Sequence, residues 1–240
     1  MSVRRLLTAV LAAALVACSK PAPPPPAATA PPPAAPPSAV ESSDAAPLMS
    51  ASLVQGRDYE VVADGIPFDT PTTEQVEVAE FFNYACPACN SFEPKLEQWR
   101  RSLPSYVHVV YLPLDFRPDF VPYARAYFAA EALGVAATSH EAVYAAIHQT
   151  HKLPGEGTPV DADTLAKFYA QFGVDPEKFK QAMASDMVAA KIAAARVYAA
   201  HSGVHSTPTL LIEGKYLVKG QSFEDYLQNA TQLIAKARAS

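Results

Sequence analysis

VEVAEFFNYACPACNSFEPKLEQWRR, residues 76–101, decides how this chain is read. Its first part, Val76 to Tyr84, is an apolar, β-branched and aromatic run that predicts a buried strand. Its last part predicts a helix over residues 90–102, ending near Pro104. Between them stands Cys86-Pro87-Ala88-Cys89. Two cysteines three apart at a helix start lie on one face, one turn apart, and can form a tight disulfide or hold two thiols in readiness. The first sulfur sits where unpaired helix N–H groups and the positive end of the dipole stabilise an anion. A thiolate there has a lowered pKa and is a better nucleophile and leaving group at neutral pH. The spacing therefore points to thiol–disulfide chemistry.

The cysteine count leaves two alternatives open. The chain has three cysteines, Cys18, Cys86 and Cys89. A zinc site needs about four ligands; the histidine pairs His148/His151 and His201/His205 could supply the rest. A purely structural disulfide is the other alternative, although so short a loop stabilises weakly.

The N-terminus reads as an export signal. Arg4 and Arg5 precede a short apolar run, Leu6 to Val16, too short to span a bilayer as a mature helix. The run ends Leu15-Val16-Ala17-Cys18, which resembles the bacterial lipobox, whose cysteine is lipidated and becomes the first mature residue. Residues 1–17 are thus expected to be a lipoprotein signal peptide. Ser19 follows the cysteine and favours the outer membrane. Residues 18–50 are mostly Pro, Ala and Ser and hold about half of the 23 prolines. Such a segment buries too little apolar surface to fold. It is expected to be a disordered, lipid-anchored tether of some thirty residues, reaching roughly 90 Å at about 3.1 Å per residue.

The remaining residues suit one domain, or one domain with an insertion. A formal net charge of −5 gives no reason to expect nucleic-acid binding. No run after Val16 is apolar enough to cross a membrane. Two cysteines in an exported domain fit an oxidising compartment. Further strands are expected at Tyr59–Ala63, Val107–Leu114, Thr209–Glu213 and Tyr216–Lys219. Helices are expected at Tyr123–Leu133, His140–His151, Ala162–Phe172, Pro176–Ala200 with a break near Ser185, and Phe223–Ala237. The order is β-β-α-β, a block of helices, then β-β-α.

This order, with CxxC after the second strand, resembles the thioredoxin fold. The helical block between the third and fourth strands makes it similar to DsbA-type periplasmic thiol:disulfide oxidoreductases. The resemblance runs from about Gln55 to Ala237. It is carried by Glu80-Phe81-Phe82, the Cys86–Cys89 centre and Ser206-Thr207-Pro208-Thr209. It implies an α/β thioredoxin-like domain (51–121 and 205–240) with an inserted helical domain (122–204). It implies that Cys86 is the exposed nucleophile and Cys89 the buried resolving thiol. Pro208 would be a cis-proline preceded by Thr207, baring a backbone edge for substrate peptide. Glu80, a lone carboxylate in an apolar strand, would move protons to or from Cys89. Its strand-three neighbour is expected to be Tyr106 or His108, where the family often has lysine. Pro87 and Ala88 would tune the redox poise. Many family members have histidine at the position of Ala88, so Cys86 is expected to be less acidic here, and the disulfide less oxidising. His205 is read as a loop histidine, and Trp99, Tyr111, Phe116 and Phe120 as packing.

The implied activity is that of a dithiol oxidase without cofactor or metal. It would act as a monomer on exported cysteine-containing proteins, and a membrane partner of DsbB type would reoxidise it. A reductase or isomerase on the same fold is one alternative. A peptide- or metal-binding module using the CxxC as ligands is another.

Overall fold

The computed structural model describes residues 52–69 and 74–240. The expected signal peptide, Cys18 and the expected tether lie outside these residues.

Strand β2, Val76–Phe82, is buried along its whole length. Its odd and even residues therefore each serve a core. Val76 and Val78 pack with Phe92 and Leu96 of helix α1, Pro87–Ser102, and with Leu233 and Ile234 of helix α7, Phe223–Arg238. Ala79 and Phe81 face the other way and join the core of the helical block. That alternation is the two-residue period of a strand covered on both faces.

The sheet has five strands in the order β1-β5-β4-β2-β3. Strand β3, Val107–Pro113, runs parallel to β2, while β4, Thr209–Ile212, runs antiparallel to it. Strand β5, Tyr216–Val218, and β1, Tyr59–Val61, complete the antiparallel side. At the β4–β5 turn, Gly214 has φ +63°, and a Cβ there would meet the Ile66 carbonyl oxygen at 1.9 Å.

Between β3 and β4 come α2 (Val121–Ala132), α3 (Ala136–His148), α4 (Ala162–Tyr169), α5 (Pro176–Ala184) and α6 (Asp186–His201). The expected break near Ser185 is present. Ser185 has an extended backbone, and its hydroxyl accepts the Val188 N–H, so one residue ends α5 and caps α6. Asp161 and Asp175 cap α4 and α5 in the same way. The expected Ala162–Phe172 helix becomes α4 plus a short 3₁₀ turn, ended by Gly173 at φ +81°. α3 starts at Ala136, four residues before the expected His140.

Two further expectations change. α1 starts at Pro87, not Asn90, because proline is favoured at the first helical position and the Cys86 sulfur caps the turn. The CxxC is therefore itself the first turn of the helix. Phe116 does not pack in the core but is exposed.

Candidate active site

Cys86 is the N-cap of α1, and its sulfur accepts the Cys89 N–H at 3.4 Å. As a thiol it donates to the Thr207 carbonyl at 3.5 Å. The Thr207–Pro208 peptide bond is cis, as the resemblance implied. Both cysteines are free thiols here. Cys86 is 7% exposed and Cys89 2%. Cys86 is thus the more accessible of the two residues, but not the openly exposed one expected; its sulfur lies against the Thr207 carbonyl. Pro87 and Ala88 are exposed beside it.

Position separates the two thiols chemically. The hydrogen bond from the Cys89 side chain, with further donors at Thr207 and the Cys89 and Ala88 amides, lowers the Cys86 pKa to about 6 against the opposing effect of burial. Burial, and then the neighbouring Cys86, pushes Cys89 well above the ordinary thiol value. Cys86 is poised as a thiolate without a histidine in the motif; backbone and neighbouring thiol supply the stabilisation.

The turn leading to Cys86 is held by Asn83, a residue the sequence did not single out. Asn83 is fully buried. Its Nδ2 donates to the Leu114 and Phe120 carbonyls at 2.7 and 3.1 Å, and its Oδ1 accepts the Ala85 N–H at 2.9 Å. The Cys86 N–H reaches the Asn83 carbonyl at 3.1 Å.

Glu80 is buried, on the α1 side of the sheet, but it is not a lone carboxylate. Arg100 of α1 places Nη1 3.1 Å from Glu80 and Nη2 2.6 Å from Glu93. Glu97 also pairs with Arg100. Neither Tyr106 nor His108 is the strand-three neighbour; the register sets Tyr111 opposite Glu80. Burial and the charge of Glu93 raise the Glu80 pKa to about 8 despite Arg100. Two buried carboxylates share one guanidinium, so a proton on one of them relieves the excess charge. The missed members have a legible signal. Cys89, Glu93, Leu96 and Arg100 follow helical spacing on one stripe of α1.

A groove of about 380 Å³ opens beside Pro208, lined by Phe92, Phe223 and Tyr226 with the 220–222 loop. Of the histidines weighed as zinc ligands, His148 faces the Tyr84 carbonyl at 2.7 Å and His151 the Ile147 carbonyl at 3.1 Å. His205 is exposed in the loop before Thr207.

A thioredoxin family model matches residues 72–229. The thiol:disulfide interchange protein DsbA of Pseudomonas aeruginosa is 34% identical over 188 residues, covering 77% of this chain and 86% of the relative. The chain belongs to the DsbA family. DsbA of Burkholderia cepacia is 30% identical over 192 residues, 80% of this chain and 86% of that one. The crystal structure of the oxidoreductase DsbA from Xylella fastidiosa superposes with a TM-score of 0.74 at 38% identity, covering 78% of this chain and 99% of that structure. The protein is a thiol:disulfide oxidoreductase of thioredoxin fold with a helical insertion, and its CxxC stands where that chemistry requires it.

Proposed function

We propose that this DsbA-family enzyme is a dithiol oxidase working through Cys86. A substrate thiolate attacks the Cys86 sulfur of the Cys86–Cys89 disulfide. The S–S bond breaks, and Cys89 leaves and takes up a proton. A second substrate thiolate then attacks the substrate sulfur of the mixed disulfide and releases Cys86 as thiolate. The substrate loses two electrons and the enzyme gains them. The observation that carries this reading is the contrast between the two thiols: Cys86 is lowered to about 6, while burial raises Cys89. A low-pKa thiolate leaves readily in the second step.

Other roles follow from the same reading. Cys89 departs best with a proton supplied, and Glu80 is the proposed source. The raised pKa of Glu80 supports this. Thr207 and Pro208 offer the backbone edge for substrate peptide, with the adjoining apolar groove for a side chain flanking the substrate cysteine. Pro87 and Ala88 set the redox poise, Ala88 making it milder than a histidine would. Residues 51–121 with 205–240 act as the redox domain, and 122–204 as the helical domain over its active-site face.

Enzymes of the DsbA family act on exported proteins in the periplasm and are reoxidised by DsbB. For this chain we infer a monomer tethered by lipid on Cys18, after removal of residues 1–17, with the outer membrane favoured by Ser19. Leu15-Val16-Ala17-Cys18 and the Pro/Ala-rich stretch support that placement. No helix among the described residues is long and apolar enough to cross a membrane.

Trapping tests the assignment. Cys89→Ser should accumulate mixed disulfides with exported proteins, because its Cys86 thiolate attacks a substrate disulfide, releases the other substrate thiolate, and no Cys89 thiol remains to displace the bound substrate; Cys86→Ser should accumulate few. Equal trapping by both variants, or trapping only in Cys86→Ser, would overturn it. Mass spectrometry of the mature N-terminus should find acyl chains on Cys18; an unmodified terminus beyond Ser19 would refute the anchor.

A further inference from the structure

The last turns of α3 carry a stripe that the proposed chemistry does not use. His140, Tyr144 and His148 are spaced i, i+4 and i+8, so they share one face of the helix. All three meet Tyr84, two residues before Cys86. His140 Nδ1 lies 2.9 Å from the Tyr84 hydroxyl. The Tyr144 ring meets the Tyr84 ring edge-on, with centroids 5.1 Å apart. His148 Nε2 lies 2.7 Å from the Tyr84 carbonyl oxygen. A carbonyl only accepts, so Nε2 of His148 carries the proton.

The position of Tyr84 gives this contact its meaning. The β2 ladder ends at Phe82, whose carbonyl takes the Leu114 N–H. Beyond it, the chain turns through residues 83–86 into the N-cap. Asn83 fixes one side of that turn, through its own carbonyl and side chain. The Tyr84 carbonyl lies past the ladder, and its donor comes from the helical insertion. A shift of that carbonyl tilts the following two peptide units, and so moves the Cys86 sulfur relative to the Cys89 amide that it caps at 3.4 Å. Such hydrogen bonds to a thiolate weaken steeply with misalignment.

We propose that α3 is a positioning element for the redox loop, in which His148 on the Tyr84 carbonyl and His140 on the Tyr84 hydroxyl hold the turn that sets the Cys86 sulfur at the helix terminus. The inserted helices thereby tune the reactive thiol, rather than only covering it. In a motif with Ala88 between the cysteines, backbone donors to Cys86 matter more, and so does whatever aligns them. The inference rests on Cys86 being the attacking thiol. Its failure is separable: loss of Cys86 trapping removes that assignment, whereas the measurements below examine alignment with trapping intact.

The test uses the full chain with His148→Phe, which keeps a ring but no donor, and His148→Gln, which keeps a donor. The Cys86 pKa is read from the pH dependence of alkylation, and the redox poise from equilibrium with glutathione. His148→Phe should raise the pKa by about one unit and move the equilibrium roughly tenfold toward the enzyme disulfide, with His148→Gln staying within roughly threefold of wild type. A purely structural histidine would instead lower Tm in both redox forms and leave pKa and equilibrium unchanged; that result overturns the inference. So does a His148→Gln variant as shifted as His148→Phe. If His148→Phe does not fold, nitrogen NMR of the wild-type protein decides. The His148 ring should be the Nε2–H tautomer, with shifts that change on reduction of the disulfide. A different tautomer, or shifts identical in the two redox forms, overturns it.

Discussion

Arg100, in the last turn of α1, places Nη1 3.1 Å from a carboxylate oxygen of Glu80 in β2. The same guanidinium holds Glu93 at 2.6 Å and lies over the Tyr111 ring at 5.3 Å. It ties the active-site helix to the central strand at a point where both carboxylates are nearly dry.

Removing that guanidinium leaves two buried carboxylates to face each other. Arg100→Leu is expected to lower the unfolding free energy by about 3–5 kcal/mol, the usual cost of stranding a buried partner. Adding Glu80→Gln should return part of this loss, because a group that must otherwise take up a proton beside Glu93 is then replaced by a neutral amide. Denaturant melts of the four proteins of this cycle give the coupling. Additive losses would mean that the pair does not act as one unit.

Asn83→Ala should be among the costlier single changes in the active-site loop. It removes a side chain that pairs with two carbonyls and one amide in a fully buried place. The expected loss is about 2–4 kcal/mol, since each stranded buried group carries a desolvation penalty. Equilibrium unfolding of the oxidised protein measures it, and a loss below about 0.5 kcal/mol would show that water replaces the side chain without cost.

Much of this was legible because it is local. A two-residue alternation marks β2, a helical stripe marks α1, and Pro208 opens β4 at the place the family order requires. The break at Ser185 was readable for the same reason, since a serine hydroxyl can cap the next helix only where the backbone turns extended. What escaped the sequence depends on register and on crossings between distant elements. The partner of Glu80 was sought on β3 at Tyr106 or His108. Pairing in fact sets Tyr111 there, and the cation comes from twenty residues along the chain. The sequence sets the CxxC at a helix start, but that the helix begins at Pro87 rather than Asn90 depends on the Cys86 sulfur acting as the cap. Asn83 falls near the end of the expected strand Val76–Tyr84, and His140 and His148 fall in the expected helix His140–His151, His148 also as a possible zinc ligand. Only the docking of α3 against Tyr84 gives the histidines a common target.

Ala88→His should make the enzyme more oxidising. Ala88 is exposed beside Cys86, so the larger side chain has room. An imidazole there adds a donor or a positive charge to the thiolate, and stabilising the thiolate favours the reduced form. Each unit by which the Cys86 pKa falls shifts the glutathione equilibrium about tenfold. An unchanged pKa with an unchanged equilibrium would show that backbone donors already saturate the sulfur.

The pH dependence of stability gives the most direct reading of the two thiols. Cys86 has a folded pKa of about 6, below the ordinary thiol value. For a group whose folded pKa is depressed, the stabilisation is complete above the unfolded pKa and is lost as pH falls through the folded one. The oxidised protein has no thiol to ionise and serves as the reference. Stability of the reduced form minus that of the oxidised form should therefore rise from about pH 6 to about 8.5. The slope is at most about 1.4 kcal/mol per pH unit, and smaller toward each end of the range where the folded or the unfolded thiol is only partly titrated. Cys89 then sets the upper limit. Burial raises its folded pKa, so its stabilisation is complete below the unfolded pKa and is lost as pH rises above it. The difference should pass through a maximum near pH 8.5 and fall beyond it. Glu80 titrates in both redox forms and largely cancels in the comparison. Denaturant melts of both forms across pH 5 to 10 measure the curve. A difference that is flat or falling between about pH 6 and 8.5 would mean that the helix terminus does not hold Cys86 as a thiolate. The dithiol-oxidase reading would then lose the thiol contrast on which it rests.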